Sequence, residues 1–164
     1  MKFLSIIYGI VVYIRNRLYD CKILKEKVLE DTEIICVGNI VVGGAGKTPA
    51  VQYYANKYIL EGKKVGILSR GYKGKRDKNP FLVRDYDKIH CTPIESGDEA
   101  YFHALNLNIP VVVSKDRYKG AKLLKEKFDV KVIIMDDGFQ HRKLKKTENV
   151  LLVDATNPFG GDEY

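Results

Sequence analysis

Cysteine is scarce in this sequence: Cys21, Cys36 and Cys91 are the only three. They lie far apart and form no Cys-x-x-Cys pair. That leaves no disulfide framework and no zinc site, and it suits a reducing cytosol. A long apolar run is also missing. The stretch from Phe3 to Ile14 falls short of the roughly 20 residues that cross a bilayer. There is no internal repeat and no low-complexity segment. The basic residues are dispersed with no aromatic platform among them, which argues against a nucleic-acid partner. What is present is ordinary for a soluble globular chain: 45% hydrophobic and 30% charged residues. Its 164 residues allow one domain with a real core, or one domain plus an appended helix. Lys and Arg total 28 against 21 Asp and Glu, a formal charge of +7. That balance suits an acidic partner such as a nucleotide, a phosphorylated substrate or an anionic membrane.

The chain is organised around Cys36-Val37-Gly38-Asn39-Ile40-Val41-Val42-Gly43-Gly44-Ala45-Gly46-Lys47-Thr48-Pro49. The apolar run Ile34 to Val37 leads in, and good helix formers from Ala50 onward lead out. A glycine-rich turn between strand and helix lets backbone N–H groups point at phosphate oxygens. The helix N-terminus that follows offers its positive end to the same anion. Gly43, Gly44, Ala45 and Gly46 form the cradle. Lys47 reaches the β- and γ-phosphates, and the Thr48 hydroxyl binds Mg²⁺. The strict spacing would put a glycine at position 41, where Val41 stands; the glycines crowd the second half of the loop instead. The alternative is a glycine-rich turn with a surface lysine.

A second stretch, Val132-Ile133-Ile134-Met135-Asp136-Asp137-Gly138-Phe139-Gln140-His141, runs from a buried strand into an acidic pair. One carboxylate at a strand tip is what the Mg²⁺ side of a phosphate-loop enzyme needs, and Asp136 is the better placed. Asp137, Gln140 and His141 share its rim. The alternative is a hairpin turn at Asp137-Gly138.

Further apolar runs read as strands at Val65–Leu68, Phe81–Arg84, Pro110–Val113 and Val150–Val153, with helices from about Thr48 to Leu60, Ala100 to Leu105 and Asp116 to Phe128. Gly62 is placed to end the first of these helices. Ser69-Arg70-Gly71-Tyr72 ends one strand, and Arg70 is a phosphate candidate there. Lys73 to Arg76 reads as a solvated basic loop. Asp98 and Glu99 precede a helix and complement its dipole; Asp98 is also a candidate base. Arg117 is a candidate phosphate contact at a strand end. His103 reads as structural, and His90 has no partner legible in the sequence. The first 19 residues combine an apolar body with Lys2, Arg15 and Arg17. Two readings stand for them: a helix lying in a membrane interface, or a helix docked on the protein's own core.

Together, Val37-Gly38-Asn39 with Gly43 to Pro49, Ser69-Arg70-Gly71-Tyr72, Gly97-Asp98-Glu99 and Asp136 to His141 resemble the tetraacyldisaccharide 4′-kinases, the lipid A 4′-kinase family. The order and rough spacing of all four motifs agree over nearly the whole chain. The resemblance implies transfer of the γ-phosphate of ATP, with Mg²⁺, to the 4′-hydroxyl of a tetraacyldisaccharide 1-phosphate, the lipid A disaccharide precursor. It implies a peripheral enzyme at the cytoplasmic face of the bacterial inner membrane, and it tips the N-terminal helix toward that anionic surface. It makes Asp98 the general base. It sets Lys47, Asp137 and His141 beside the reacting groups, Arg117 and Gln140 near the nucleotide, and Thr48 and Asp136 on the metal. Ala100 stands where the family commonly has proline. The family pattern continues beyond Phe159-Gly160-Gly161 into a second α/β domain that supplies a histidine to the aspartate base. The chain is therefore expected to be an N-terminal portion whose activity alone is in question and whose last strand leaves an exposed sheet edge.

The expected fold is α/β: a P-loop NTPase-like, mostly parallel sheet flanked by helices, with an N-terminal hydrophobic helix. Residues 1–25 form the membrane-interface helix and connector, and 26–164 the P-loop kinase domain. Two other functions stay open: a P-loop nucleotide-hydrolysing switch, and a non-catalytic nucleotide-binding remnant.

Overall fold

The computed structural model describes residues 2–39, 46–76 and 79–155. Helix α1 covers Lys2–Asp20. Strand β1, Glu33–Asn39, precedes helix α2, Lys47–Leu60. Then follow β2 (Val65–Ser69), β3 (Phe81–Arg84), α3 (Pro93–Ser96), α4 (Asp98–Asn106), β4 (Val111–Val113), α5 (Arg117–Phe128), β5 (Val132–Asp136) and β6 (Glu148–Leu152). One six-stranded sheet runs in the order β3-β4-β2-β5-β1-β6. Every neighbour is parallel except β3, which runs antiparallel to β4. The expected α/β fold with a mostly parallel sheet flanked by helices is the observed one.

The strands are apolar at consecutive positions because the sheet is covered on both faces. Ile35 and Val37 of β1 enter one core, with Val51 and Ala55 of α2 and Ala100 and Ala104 of α4. Ile34 and Cys36 point the other way, to Ala121 and Leu124 of α5. Burying each Ile or Leu in these layers contributes about 1.5–3 kcal/mol. The same burial pushes the Cys36 thiol up to about 11, so it acts as an inert apolar filler. Handedness decides which helix lies on which face. From β1 through β2 to β4 the chain advances in one direction, and from β4 to β5 it turns back. Right-handed crossovers then put α5 opposite α2 and α4. β1 and β5 lie side by side, with Val37 in register with Asp136. Their carboxyl ends therefore open onto one edge, where ligands of such sheets bind.

Several local expectations change. The Asp137-Gly138 turn closes no hairpin, because β6 pairs with β1 in parallel. Asp137 adopts a left-handed φ of 51° and donates its N–H to Val37 O at 2.9 Å. Helix α3 had no reading in the sequence; a reciprocal Thr92/Glu95 capping box starts it. Arg76 is not a solvated loop cation: it turns back to donate to Gly71 O at 3.0 Å and Arg70 O at 2.8 Å. His90 does have a partner, Asp85 at 2.6 Å. β6 stands at the sheet edge, and Leu151 and Val153 are exposed there.

Among the described residues, no helix is long and apolar enough to cross a membrane. On α1, Ile10, Val11, Tyr13 and Ile14 are each more than half exposed, so these side chains are not packed into the protein's own core. The helix is tied down at its far end. Arg142 donates to Asp20 at 2.8 Å and to Asn16 O at 3.1 Å, and lies 5.1 Å from the Tyr19 ring centre.

Candidate functional site

The phosphate loop enters α2 through Gly46, whose φ of 73° is the left-handed turn glycine permits. Gly43, Gly44 and Ala45 lie outside the described residues. Lys47 and Thr48 open the helix. Lys47 Nζ donates to Asn39 Oδ1 at 2.9 Å, so the two ends of the loop are held together across the tip of β1. Nothing in the local sequence pattern marks Asn39 as the lysine's partner.

Thr48 shares a cleft of about 500 Å³ with Pro49, Gln52, Asp98, Glu99 and Phe102. Two helix N-termini face it, those of α2 and α4. Asp98 is the first residue of α4 and is exposed to the cleft. It is held there by a glycine dovetail. Gly97 has φ 85°, and a Cβ on it would overlap Tyr72 O; a Cβ on Gly71 would come within 2.8 Å of Ser96 O. The Ser-Arg-Gly-Tyr and Gly-Asp-Glu motifs thus meet backbone to backbone. That contact explains both glycines and sets the start of α4.

Asp136 ends β5 and is only 3% exposed, with its Oδ1 lacking a partner among the described residues. Glu99 lies open at the cleft by surface area, yet protein crowding round its carboxyl pushes its pKa up; the neighbouring Asp136 charge adds to this and Lys47 opposes it. Asp137, exposed at the next position, acts on Glu99 in the same direction as Asp136. Lys47, Glu99, Asp136 and Asp137 therefore form one electrostatic unit at the carboxyl edge of β1 and β5. A buried carboxylate with an oxygen left open among the described residues, at the strand edge next to the start of α2, fits a hard cation such as Mg²⁺. Among the described residues, no three His, Cys, Asp or Glu side chains make a metal cage alone. A cation held there would take its other ligands from phosphate and water.

Arg117 and His141 sit apart from the cleft. They line a second cavity of about 350 Å³ with Asn79, Lys115, Asp116 and Lys143. Arg117 starts α5 and is 2% exposed. Its Nη1 donates to Ser114 O, while Nε and Nη2 are buried without partners among the described residues. Burial brings it down to about 10, Arg70 adds to this, and Asp136 and Asp137 oppose it. Arg117 therefore feels the acidic pair from the far side of β5. Gln140 is exposed at the turn before His141. Burial first, then Arg117 and Arg70, hold His141 down at about 4. Its folded value lies below the unfolded 6.5. Protonation therefore opposes folding as pH falls below about 6.5, and the loss ends near 4. We expect His141 to titrate near 4 in a histidine-resolved NMR titration, and His141→Gln to flatten the stability curve between those limits. A midpoint near 6.5 would show the ring to be solvated.

The chain is similar over residues 1–164 to the family model described as tetraacyldisaccharide-1-P 4′-kinase. A tetraacyldisaccharide 4′-kinase of Aquifex aeolicus is 46% identical over 150 residues, which are 91% of this chain and 46% of that protein. One from Halothermothrix orenii is 38% identical over 98% of this chain and 42% of its own length. A crystal structure of "apo" form LpxK from Aquifex aeolicus in complex with ATP matches with a TM-score of 0.83 at 45% identity; 93% of this chain and 48% of that one are covered. The chain spans less than half the length of these relatives.

Proposed function

This chain belongs to the tetraacyldisaccharide-1-P 4′-kinase family, and from that premise we propose that it is the nucleotide-binding portion of a lipid kinase. The reaction is transfer of the γ-phosphate of ATP to the 4′-hydroxyl of a tetraacyldisaccharide 1-phosphate. The carrying observation is the cleft in which Thr48 and Asp98 meet at two helix N-termini. Phosphoryl transfer is mostly positioning and charge stabilisation. Lys47 and the helix N-terminus neutralise the β- and γ-phosphates. Thr48 and Asp136 would hold Mg²⁺, which when bound offsets phosphate charge. Asp98 takes the hydroxyl proton; the oxygen bonds to the γ-phosphorus, and the bond to the β–γ bridging oxygen breaks to release ADP.

The exposed apolar side chains of α1, flanked by Arg15 and Arg17, support a peripheral helix at an anionic membrane surface, where the lipid acceptor lies. The cytoplasmic face of the bacterial inner membrane is the proposed location. A C-terminal domain of the kind its relatives' greater length allows is the proposed partner of the β6 edge.

The test is transfer of labelled γ-phosphate from Mg·ATP to a tetraacyldisaccharide 1-phosphate in detergent micelles. It is run with this chain alone and with the C-terminal portion of the Aquifex aeolicus relative added. Labelled lipid in either mixture supports the kinase reading. Inorganic phosphate without labelled lipid in both would replace it with a nucleotide-hydrolysing switch.

A further inference from the structure

We infer that His103 is a positioning residue for Asp136, turning that carboxylate toward the cation that accompanies the nucleotide. The inference rests on the kinase reading and deepens it. His103 lies on the inner face of α4, between Ala100 and Ala104, and is 0% exposed. Neither ring nitrogen has a hydrogen-bond partner among the described residues. Burying a polar ring without a partner is unfavourable, and its two neighbours show that this face of α4 accepts small apolar residues. What the ring does have nearby is a carboxylate: Nε2 lies 3.5 Å from Asp136 Oδ2. Shortening by about 0.5 Å makes that approach an ordinary hydrogen bond.

Asp136 is the matching half. It is 3% exposed, and its other oxygen, Oδ1, has no hydrogen-bond partner among the described residues. One oxygen faces the imidazole, and the other is open among the described residues, where a cation would take it. A ring N–H behind a carboxylate fixes its rotamer and aims the free oxygen, which is how groups around a metal ligand set its affinity. A neutral ring carrying its proton on Nε2 is sufficient, so no titration is required. The helix also links two tasks. Glu99 and His103 are four residues apart on one face of α4, which also carries Asp98 at its start. The element that presents the proposed base thereby also braces the carboxylate on the cation side.

The test measures Mn²⁺ affinity of the whole chain by electron paramagnetic resonance, with ATP present. His103→Phe is expected to weaken Mn²⁺ binding by about tenfold, with ATP affinity in EDTA unchanged. His103→Gln, which restores an N–H donor, is expected to recover most of that loss. Melting temperatures of all variants check packing, and His103→Leu replaces the phenylalanine variant where that does not fold. Wild-type Mn²⁺ affinity in His103→Phe or His103→Leu overturns the role of His103 alone. So does a glutamine variant that is as impaired as the apolar ones. Failure of the wild-type chain to bind Mn·ATP overturns the kinase reading itself, and this inference with it.

Discussion

Asp98→Asn is expected to lower phosphoryl transfer to the lipid acceptor by about 10²–10⁴-fold, the usual contribution of a general base, while Mg·ATP binds as before. The substitution keeps the side chain's shape and removes its capacity to take a proton. The geometry separates the two functions. Asp98 opens α4 on the cleft, whereas Lys47 and Thr48 open α2. Nucleotide affinity resides mainly in the loop, the lysine and the helix N-terminus that follows it. Loss of Asp98 should therefore register in kcat and leave equilibrium binding of ATP alone. Binding by fluorescent nucleotide titration and transfer by the labelled-phosphate assay give the two numbers. Parallel loss of both would move Asp98 into the nucleotide site. Full transfer by the variant would remove it from the mechanism.

Gly71→Ala is expected to destabilise the fold by about 3 kcal/mol, the combined scale of left-handed strain and overpacking. For a chain of this length that lowers the melting temperature by roughly 10 °C. Gly71 has φ 67°, and an added Cβ would overlap Val113 Cγ1 and come within 2.5 Å of Arg76 Nη1. Val113 is fully buried in β4, so it has nowhere to retreat. Gly62 provides the control. It too has a positive φ, 76°, but a Cβ there meets nothing within 4 Å. Gly62→Ala should therefore cost only the backbone term, about 1 kcal/mol. Equal melting temperatures for the two alanine variants would mean that the overlap at Gly71 relaxes freely. Because Gly71-Tyr72 packs against Gly97, the Gly71 variant should also lose transfer in the protein that remains folded.

Local signals in the chain mark what local chemistry decides. Runs such as Val132 to Met135 announce buried strands because a parallel sheet covered on both faces demands apolar residues at every position. Gly46-Lys47-Thr48 announces a helix start at a phosphate loop because a left-handed glycine and an open helix N-terminus are needed there. The alternation of strand and helix was enough for the fold class. It did not reveal that Asp137-Gly138 closes no hairpin, since that depends on β6 crossing to β1. It did not pair Asn39 with Lys47, Arg76 with the carbonyls of Arg70 and Gly71, or His90 with Asp85.

By itself the sequence determined every element type except the short helix α3, together with the phosphate loop, the acidic pair at a strand tip and the family resemblance. Those are properties of short windows, set by backbone sterics and hydrophobic period. The tertiary structure alone decided which of these windows meet. It placed Asp98 across from Thr48, buried His103 behind Asp136, and put Arg117 and His141 in a separate cavity on the other side of β5. The reason is strand order: with β5 inserted between β1 and β2, and right-handed crossovers fixing α2 and α4 on one face and α5 on the other, distances between motifs follow from the sheet and not from their spacing along the chain.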